Sequence, residues 1–156
     1  MRTIELGYQF QGPWGLMGDD TGTVLHGVHG KPGVRGLKRD DTFIGADFIR
    51  IDPGCGFLPH AHEGDHILFV LEGRGCLSYD GNIIELMPGN LAFVPAEHPH
   101  AMSCPSDATT ALEVLAIGHP HHEVFSLRRS YSVSESHDPR DRTPPARHPA
   151  QTHSHS

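Results

Sequence analysis

The sequence is short of positive charge, of cysteine and of long apolar runs, and each shortage excludes something. Its 156 residues carry 12 Lys+Arg against 19 Asp+Glu, a formal net charge of −7. Such a chain has no general basic field with which to attract a phosphate backbone, so binding to nucleic acid is not expected. Cys55, Cys76 and Cys104 are too few to close a disulfide framework, and a chain of this size can bury a core without one. A reducing, cytoplasmic setting follows as the expectation. The longest apolar runs, Ile67 to Leu71 and Val114 to Ile117, fall far short of the roughly 20 residues that span a bilayer as a helix. The opening residues MRTIELGYQFQGPWG alternate polar and apolar types, where an export signal needs an uninterrupted apolar stretch. Neither membrane insertion nor export is expected. In abundance, by contrast, are 14 His, 18 Gly and 13 Pro.

From about Thr42 to Ile117, β-branched and aromatic runs are separated by Gly, Pro, Asn and Asp at intervals of roughly 8 to 12 residues, the pattern of an antiparallel sandwich or barrel. Expected strands are Thr42–Ile51, Leu58–His62, Asp65–Leu71, Gly75–Tyr79, Asn82–Leu86, Leu91–Val94, His100–Cys104 and Thr110–Ile117. Turns are expected at Asp52-Pro53-Gly54, Glu72 to Gly75, Asp80-Gly81 and Met87 to Asn90. Asp80-Gly81 is the sharpest hairpin signal, because both residue types tolerate the positive φ of a tight reversal. Residues 1–41 read as an arm with strands at Ile4–Phe10 and Thr23–Val28 and a Gly-rich stretch at Gly30–Gly36, packing on the barrel or on a partner subunit. Residues 42–130 read as the barrel itself. Residues 131–156 are rich in His, Pro and Ser with little beyond Tyr131 and Val133 to bury, so a disordered tail is expected.

The histidines cluster where the chemistry is. On a strand, alternate side chains share a face, so His60 and His62 point the same way roughly 7 Å apart along the backbone, close enough to converge on one ion. A bend at Glu63-Gly64 lets the next strand return antiparallel with His66 at its start, and His100 opens a later strand after Pro95 to Pro99. Four imidazoles could meet in one interior. A lone His-x-His pair is more often surface decoration; the company of a second histidine-bearing segment is what gives this one weight. His119, His121 and His122 follow the last core strand and are expected at the surface. The tail histidines, HSHS above all, could bind metal adventitiously.

These residues resemble the two motifs of the cupin superfamily. Gly54, His60, His62, His66 and Gly73 stand at the first motif's spacing, with His in place of its Glu; Gly89, Pro95, Glu97, His100 and Cys104 stand at the second's, with its Gly and Asn replaced. The resemblance implies an all-β, single-domain, jelly-roll-like antiparallel β-barrel with a metal site, and a homodimer. It is a weak guide to reaction, since one fold hosts many chemistries.

Four neutral ligands would leave a divalent ion its full +2 charge, making it a stronger electrophile than a site with a carboxylate. Imidazole suits Zn, Fe or Ni better than Mg or Ca, with Zn²⁺ the first expectation and Fe²⁺ or Ni²⁺ behind it. Two positions left open on a six-coordinate ion could take both oxygens of a 1,3-dicarbonyl and favour its enolate. Leu68 and Val70 share parity with His66, and Phe43 or Phe48, Phe57, Phe93 and Met102 are near enough in sequence to line an apolar interior. Such a pocket suits a hydrophobic carbonyl or enol substrate better than a sugar. An all-histidine site in a small chain resembles the cupin-type cyclases of aromatic polyketide (antibiotic) biosynthesis, which close and dehydrate rings on poly-β-ketones. His98 is the expected general acid/base, with Glu97 and Tyr79 as weaker choices. The competing readings are a non-haem Fe(II) dioxygenase and a non-catalytic ligand-binding cupin.

Overall fold

The computed structural model describes residues 13–18, 24–39, 41–121 and 132–133, and the described elements are all strands. In chain order they are β1 (Gly15–Leu16), β2 (Leu25–Arg39), β3 (Thr42–Phe57), β4 (His60–Ala61), β5 (Asp65–Glu72), β6 (Gly75–Tyr79), β7 (Asn82–Leu86), β8 (Leu91–Val94), β9 (His100–Ser103), β10 (Leu112–His119) and β11 (Ser132–Val133). They form one curled antiparallel sheet in the order β11-β4-β9-β3-β10-β5-β8, with β1 and β2 running off β3 and the β6–β7 hairpin running off β9.

The inner face follows from parity. Leu112, Val114, Ala116 and Gly118 of β10 lie opposite Ile51, Ile49, Asp47 and Gly45 of β3, and Val114, Ala116 and Gly118 lie opposite Val70, Leu68 and His66 of β5. Ile49, Ile51, Leu68, Val70, Leu112, Val114 and Ala116 are all buried, and with Leu77, Val94 and Met102 they belong to one core cluster. The opposite parity faces outward: Ile67 pairs with Phe93 and Phe69 with Leu91, leaving Leu91 70% and Phe93 60% exposed. Phe93 is therefore on the outer surface and not a wall of the interior. Its neighbour Val94, paired with His66, takes the inward place.

Local chemistry accounts for the turns. Asp80 and Gly81, both at positive φ, make the two-residue reversal between Tyr79 and Asn82 that right-handed strand twist favours. The β7–β8 turn is closed by the Asn90 N–H to the Met87 carbonyl and by the Met87 N–H to Asn90 Oδ1. Three expectations change. Asp52-Pro53-Gly54 does not reverse the chain; β3 runs on to Phe57, and the extra residues bulge out where the β2 register jumps between His26 and Val28, with Gly54 and Gly27 supplying positive φ. The second arm strand is longer than Thr23–Val28, taking in the Gly-rich stretch, because repeated bulges absorb its Pro and Gly. Ser132–Val133, expected in the disordered tail, pair with Ala61 and His60 of β4, covering backbone groups that an edge strand would leave exposed. The strand expected at Ile4–Phe10 and the tail beyond Val133 lie outside the described residues.

Candidate metal centre

Two close strands bring the first imidazoles together. His60 of β4 and His100 of β9 are direct partners, so their side chains leave the sheet side by side, with ring centroids 4.6 Å apart. His62, two residues on, returns to the same face with centroids 5.3 Å from His60 and 4.9 Å from His100. His60 and His100 are 1% and 7% exposed, and Phe57 meets His60 edge-on. One nitrogen of each ring is committed to a backbone carbonyl: His60 Nδ1 to Leu58 at 2.7 Å, His62 Nδ1 to Glu63 at 3.0 Å and His100 Nδ1 to His98 at 2.8 Å. A donor on Nδ1 fixes the tautomer and leaves the Nε2 lone pair as the nitrogen a metal would use. Burial pushes His100 down to about 4, opposed by its bond to the His98 carbonyl and reinforced by His62 and His98. At neutral pH it is thus the uncharged ring that ligation requires.

The three rings offer one ligand atom each, all within 4.8 Å of one another. Nitrogens held about 2.1 Å from a common ion are separated by roughly 3.0 to 4.2 Å, so small ring rotations suffice and the donor set fits a divalent transition metal. Imidazole donors argue against Mg²⁺ or Ca²⁺, which prefer oxygen. His66 stands outside that group of three. Its ring meets His62 at 4.8 Å in a T-shaped arrangement, and its Nε2 leans toward Gly118, 3.0 Å from where a Cβ there would sit. The fourth imidazole is beside the site and on the inner face, seated over a glycine.

A family model of the cupin domain matches residues 47–118, the stretch that carries every one of these histidines. Those residues match a cupin domain. Among solved structures it is similar to the polyketide cyclase RemF from Streptomyces resistomycificus, with a TM-score of 0.63, 19% identity and 90% of both chains covered. It is also similar to a cupin-2 domain protein of Rhodospirillum rubrum, with a TM-score of 0.60, 16% identity and 86% and 83% of the two chains covered. An RmlC-like cupin from Shewanella frigidimarina gives a TM-score of 0.54 at 23% identity, over 74% of this chain and 90% of that one. At these identities the likeness is one of fold. Among curated proteins, a glutamine--fructose-6-phosphate aminotransferase [isomerizing] of Rhizobium meliloti is 25% identical over 129 residues, 79% of this chain. The chain spans only 21% of that protein's length.

The second cupin motif explains an unusual backbone. Glu97 stands where the family has glycine and keeps a positive φ of 59°, with its N–H donated to the His62 carbonyl at 2.8 Å. The segment between β8 and β9 thereby grips the segment that carries His62. A second tie is the Ala96 N–H to Asp65 Oδ1 at 2.8 Å. His98 has its own partners: its Nε2 meets Asp80 Oδ1 at 2.7 Å, and its ring stacks on Tyr79 with centroids 4.8 Å apart. Tyr79 is itself the β6 partner of His100, so the His98–Asp80 pair sits at the margin of the site. No helix among the described residues is long and apolar enough to cross a membrane.

One titratable pair escaped the reading of the sequence. His121, expected at the surface, is buried, with its side chain and that of Asp47 both 5% exposed, and its Nε2 meets Asp47 Oδ2 at 2.8 Å. The signal was available in parity. Asp47 occupies an inward position of β3 in line with Ile49 and Ile51, and a carboxylate there demands a buried partner.

Proposed function

We propose that the protein is a metal-dependent cupin enzyme, a polyketide cyclase that promotes regioselective aldol closure and dehydration of a poly-β-ketone. The observation that carries the reading is the convergence of His60, His62 and His100 with each Nδ1 tied to a carbonyl. Such rings are set in advance to hold a transition metal. His66, one ring away, is the fourth ligand in this reading. Bound by four neutral imidazoles, a divalent ion, Zn²⁺ first and Fe²⁺ or Ni²⁺ after it, supplies Lewis-acid charge at a carbonyl oxygen. The chain does the rest. Phe57, Leu68, Val70 and Met102 give the interior the apolar character that suits a hydrophobic carbonyl or enol substrate. His98, oriented by Asp80, moves the proton that enolisation and dehydration require. RemF, similar in fold, is a polyketide cyclase, which agrees with the reading. Homodimerisation in the cytoplasm is the accompanying expectation, and the exposed Ile67, Leu91 and Phe93 on the outer face give such association an apolar surface.

A second reading draws on a specific observation. Because His66 lies outside the group of three, the site as placed also fits a three-histidine Fe(II) dioxygenase. Metal analysis separates the two, using protein ended at Val133 and purified without a metal-affinity step. One equivalent of zinc that falls sharply in His66→Ala, with cyclisation of a poly-β-ketone and no oxygen uptake, supports the cyclase. Iron that is indifferent to His66→Ala, with substrate-dependent oxygen uptake, replaces it with the dioxygenase. In the cyclase reading His98→Ala keeps its metal and loses turnover; an unchanged rate removes His98 from the reaction.

A further inference from the structure

The buried Asp47–His121 pair lies outside the chemistry proposed above. The two residues tie the segment after β10 back onto the start of β3. The His121 N–H donates to the Phe43 carbonyl at 2.7 Å, its Nε2 to Asp47 at 2.8 Å, and His119 Nε2 meets Thr42 Oγ1 at 2.9 Å. Asp47 Oδ1 is in turn held by the Gly33 N–H at 3.2 Å. The His121 ring lies against Gly45, where a Cβ would come within 2.5 Å of Cγ and Nδ1. Among the described residues nothing hydrogen-bonds the buried Nδ1. An apolar side chain would avoid that loss but would strand the Asp47 carboxylate. The pair is therefore there for what Nε2 holds in place.

What it holds bears on the histidines. Between His119 and His121, the Pro120 carbonyl oxygen stands 3.0 Å from where a Cβ would sit on Gly64, which has a φ of +97°. Gly64 is the turning point between His62 and His66. Gly118, the last residue before the tied segment, seats the His66 ring. On its other side the same turn is gripped by Glu97 and Ala96, so it is clamped from two directions.

We propose that Asp47 and His121 are positioning residues for the metal centre: through Pro120 against Gly64 they set where His62 and His66 stand relative to His60 and His100. The inference rests on the metal reading above.

The test is Zn²⁺ affinity of the full chain, by competition with a chromophoric chelator, for wild type, Asp47→Asn, His121→Leu and His121→Gln, with the His60→Ala/His100→Ala double variant giving the background bound by the tail histidines. Visible absorption of the Co²⁺-loaded proteins reports ligand geometry. Outer-shell partners of metal ligands typically change affinity 10–100-fold. We expect about a tenfold or greater loss in Asp47→Asn and His121→Leu with an altered Co²⁺ spectrum, and recovery to within about threefold in His121→Gln, whose amide N–H can still reach Asp47. A purely structural role lowers the melting temperature of the metal-free variants and leaves affinity and spectrum unmoved, and that result overturns the inference. Should His121→Leu fail to fold, the contrast between Asp47→Asn and His121→Gln decides in the same way: equal affinities refute positioning. Wild-type protein that binds neither Zn²⁺ nor Co²⁺ refutes the metal reading itself, a distinct outcome.

Discussion

Gly54 and Gly73 bracket the first histidine motif and share one backbone conformation, with φ of +77° and +78°, but they differ in the room around them. A Cβ on Gly54 would meet nothing nearer than Ser106 Cβ at 3.4 Å, an ordinary contact. A Cβ on Gly73 would lie 2.2 Å from the Ala111 carbonyl oxygen, 2.9 Å from its carbon and 3.0 Å from Leu112 Cα. All three are backbone atoms that cannot rotate aside. Left-handed backbone costs an ordinary residue roughly 1–2 kcal/mol, and Gly→Ala returns about 0.4–1 kcal/mol by restricting the unfolded chain. Gly54→Ala should therefore lose about 1 kcal/mol. Gly73→Ala bears the same loss plus an overpacking penalty near the upper end of about 1–3 kcal/mol, because the clash is about 1 Å or more short of normal separation. The expected difference between the variants is about 2 kcal/mol or more. Urea unfolding followed by circular dichroism measures it as a shift in midpoint at unchanged m-value. In heat, about 2–4 °C per kcal/mol is the corresponding scale for a chain of this size. Equal losses, or a larger loss at Gly54, would refute the argument that the two glycines are required for different reasons.

Three further outcomes are expected. Ile51→Ala, at a fully buried position, should cost about 2–5 kcal/mol, while Met87→Gln, 48% exposed, should stay within about 0.5 kcal/mol; urea midpoints compare them directly. Glu97→Gly relieves the left-handed backbone of Glu97 and should gain about 0.5–1 kcal/mol after the added flexibility of the unfolded chain is subtracted; a loss of melting temperature would contradict the strain. Burial raises the thiols of Cys76 and Cys104, Glu85 adding to the effect at Cys76. A raised thiol carries less thiolate at any given pH, so both should alkylate more slowly than free cysteine at pH 8 and speed up on unfolding. Mass spectrometry of the labelled peptides reads the rates, and fast labelling of the native protein would contradict the assignment.

Where residues alternate, the sequence was a sufficient guide. The runs that became β5 through β10 were legible because they are short, rich in apolar and β-branched residues and bounded by turn residues whose backbone requirement is local. The histidines were legible for the same reason: the parity of His60 and His62 survives folding, and the spacing to His100 carries the second half of the motif. Harder to see was anything settled by distant pairing. The length of β2 runs against the propensity of its glycines and Pro32, and it is stabilised by a partner strand, with Gly33 allowing the Ala46 carbonyl to approach to 2.3 Å from where a Cβ would sit. Asp52-Pro53-Gly54 was read as a turn and lies within β3 instead, since whether such a unit reverses a chain or bulges depends on what pairs either side. Phe93 fell on the outside because the register against β5, invisible in a four-residue strand, gives the inner place to Val94. Asp47 and His121 lie far apart in sequence, and only the fold shows that each is the other's partner.

In the metal reading proposed above, the pairing of His60 with His100 would tie the loading of the centre to the folding equilibrium of the whole chain. In the unfolded ensemble these two rings belong to distant stretches of polypeptide, so an ion that engages both engages the native state almost alone. By mass action, each tenfold rise in free ion above the dissociation constant then adds about 1.4 kcal/mol to the unfolding free energy. Stability would then be a gauge of metal supply. Protein made where the ion is scarce would melt earlier and be cleared sooner by proteases that act on open chains, with no change in a single residue.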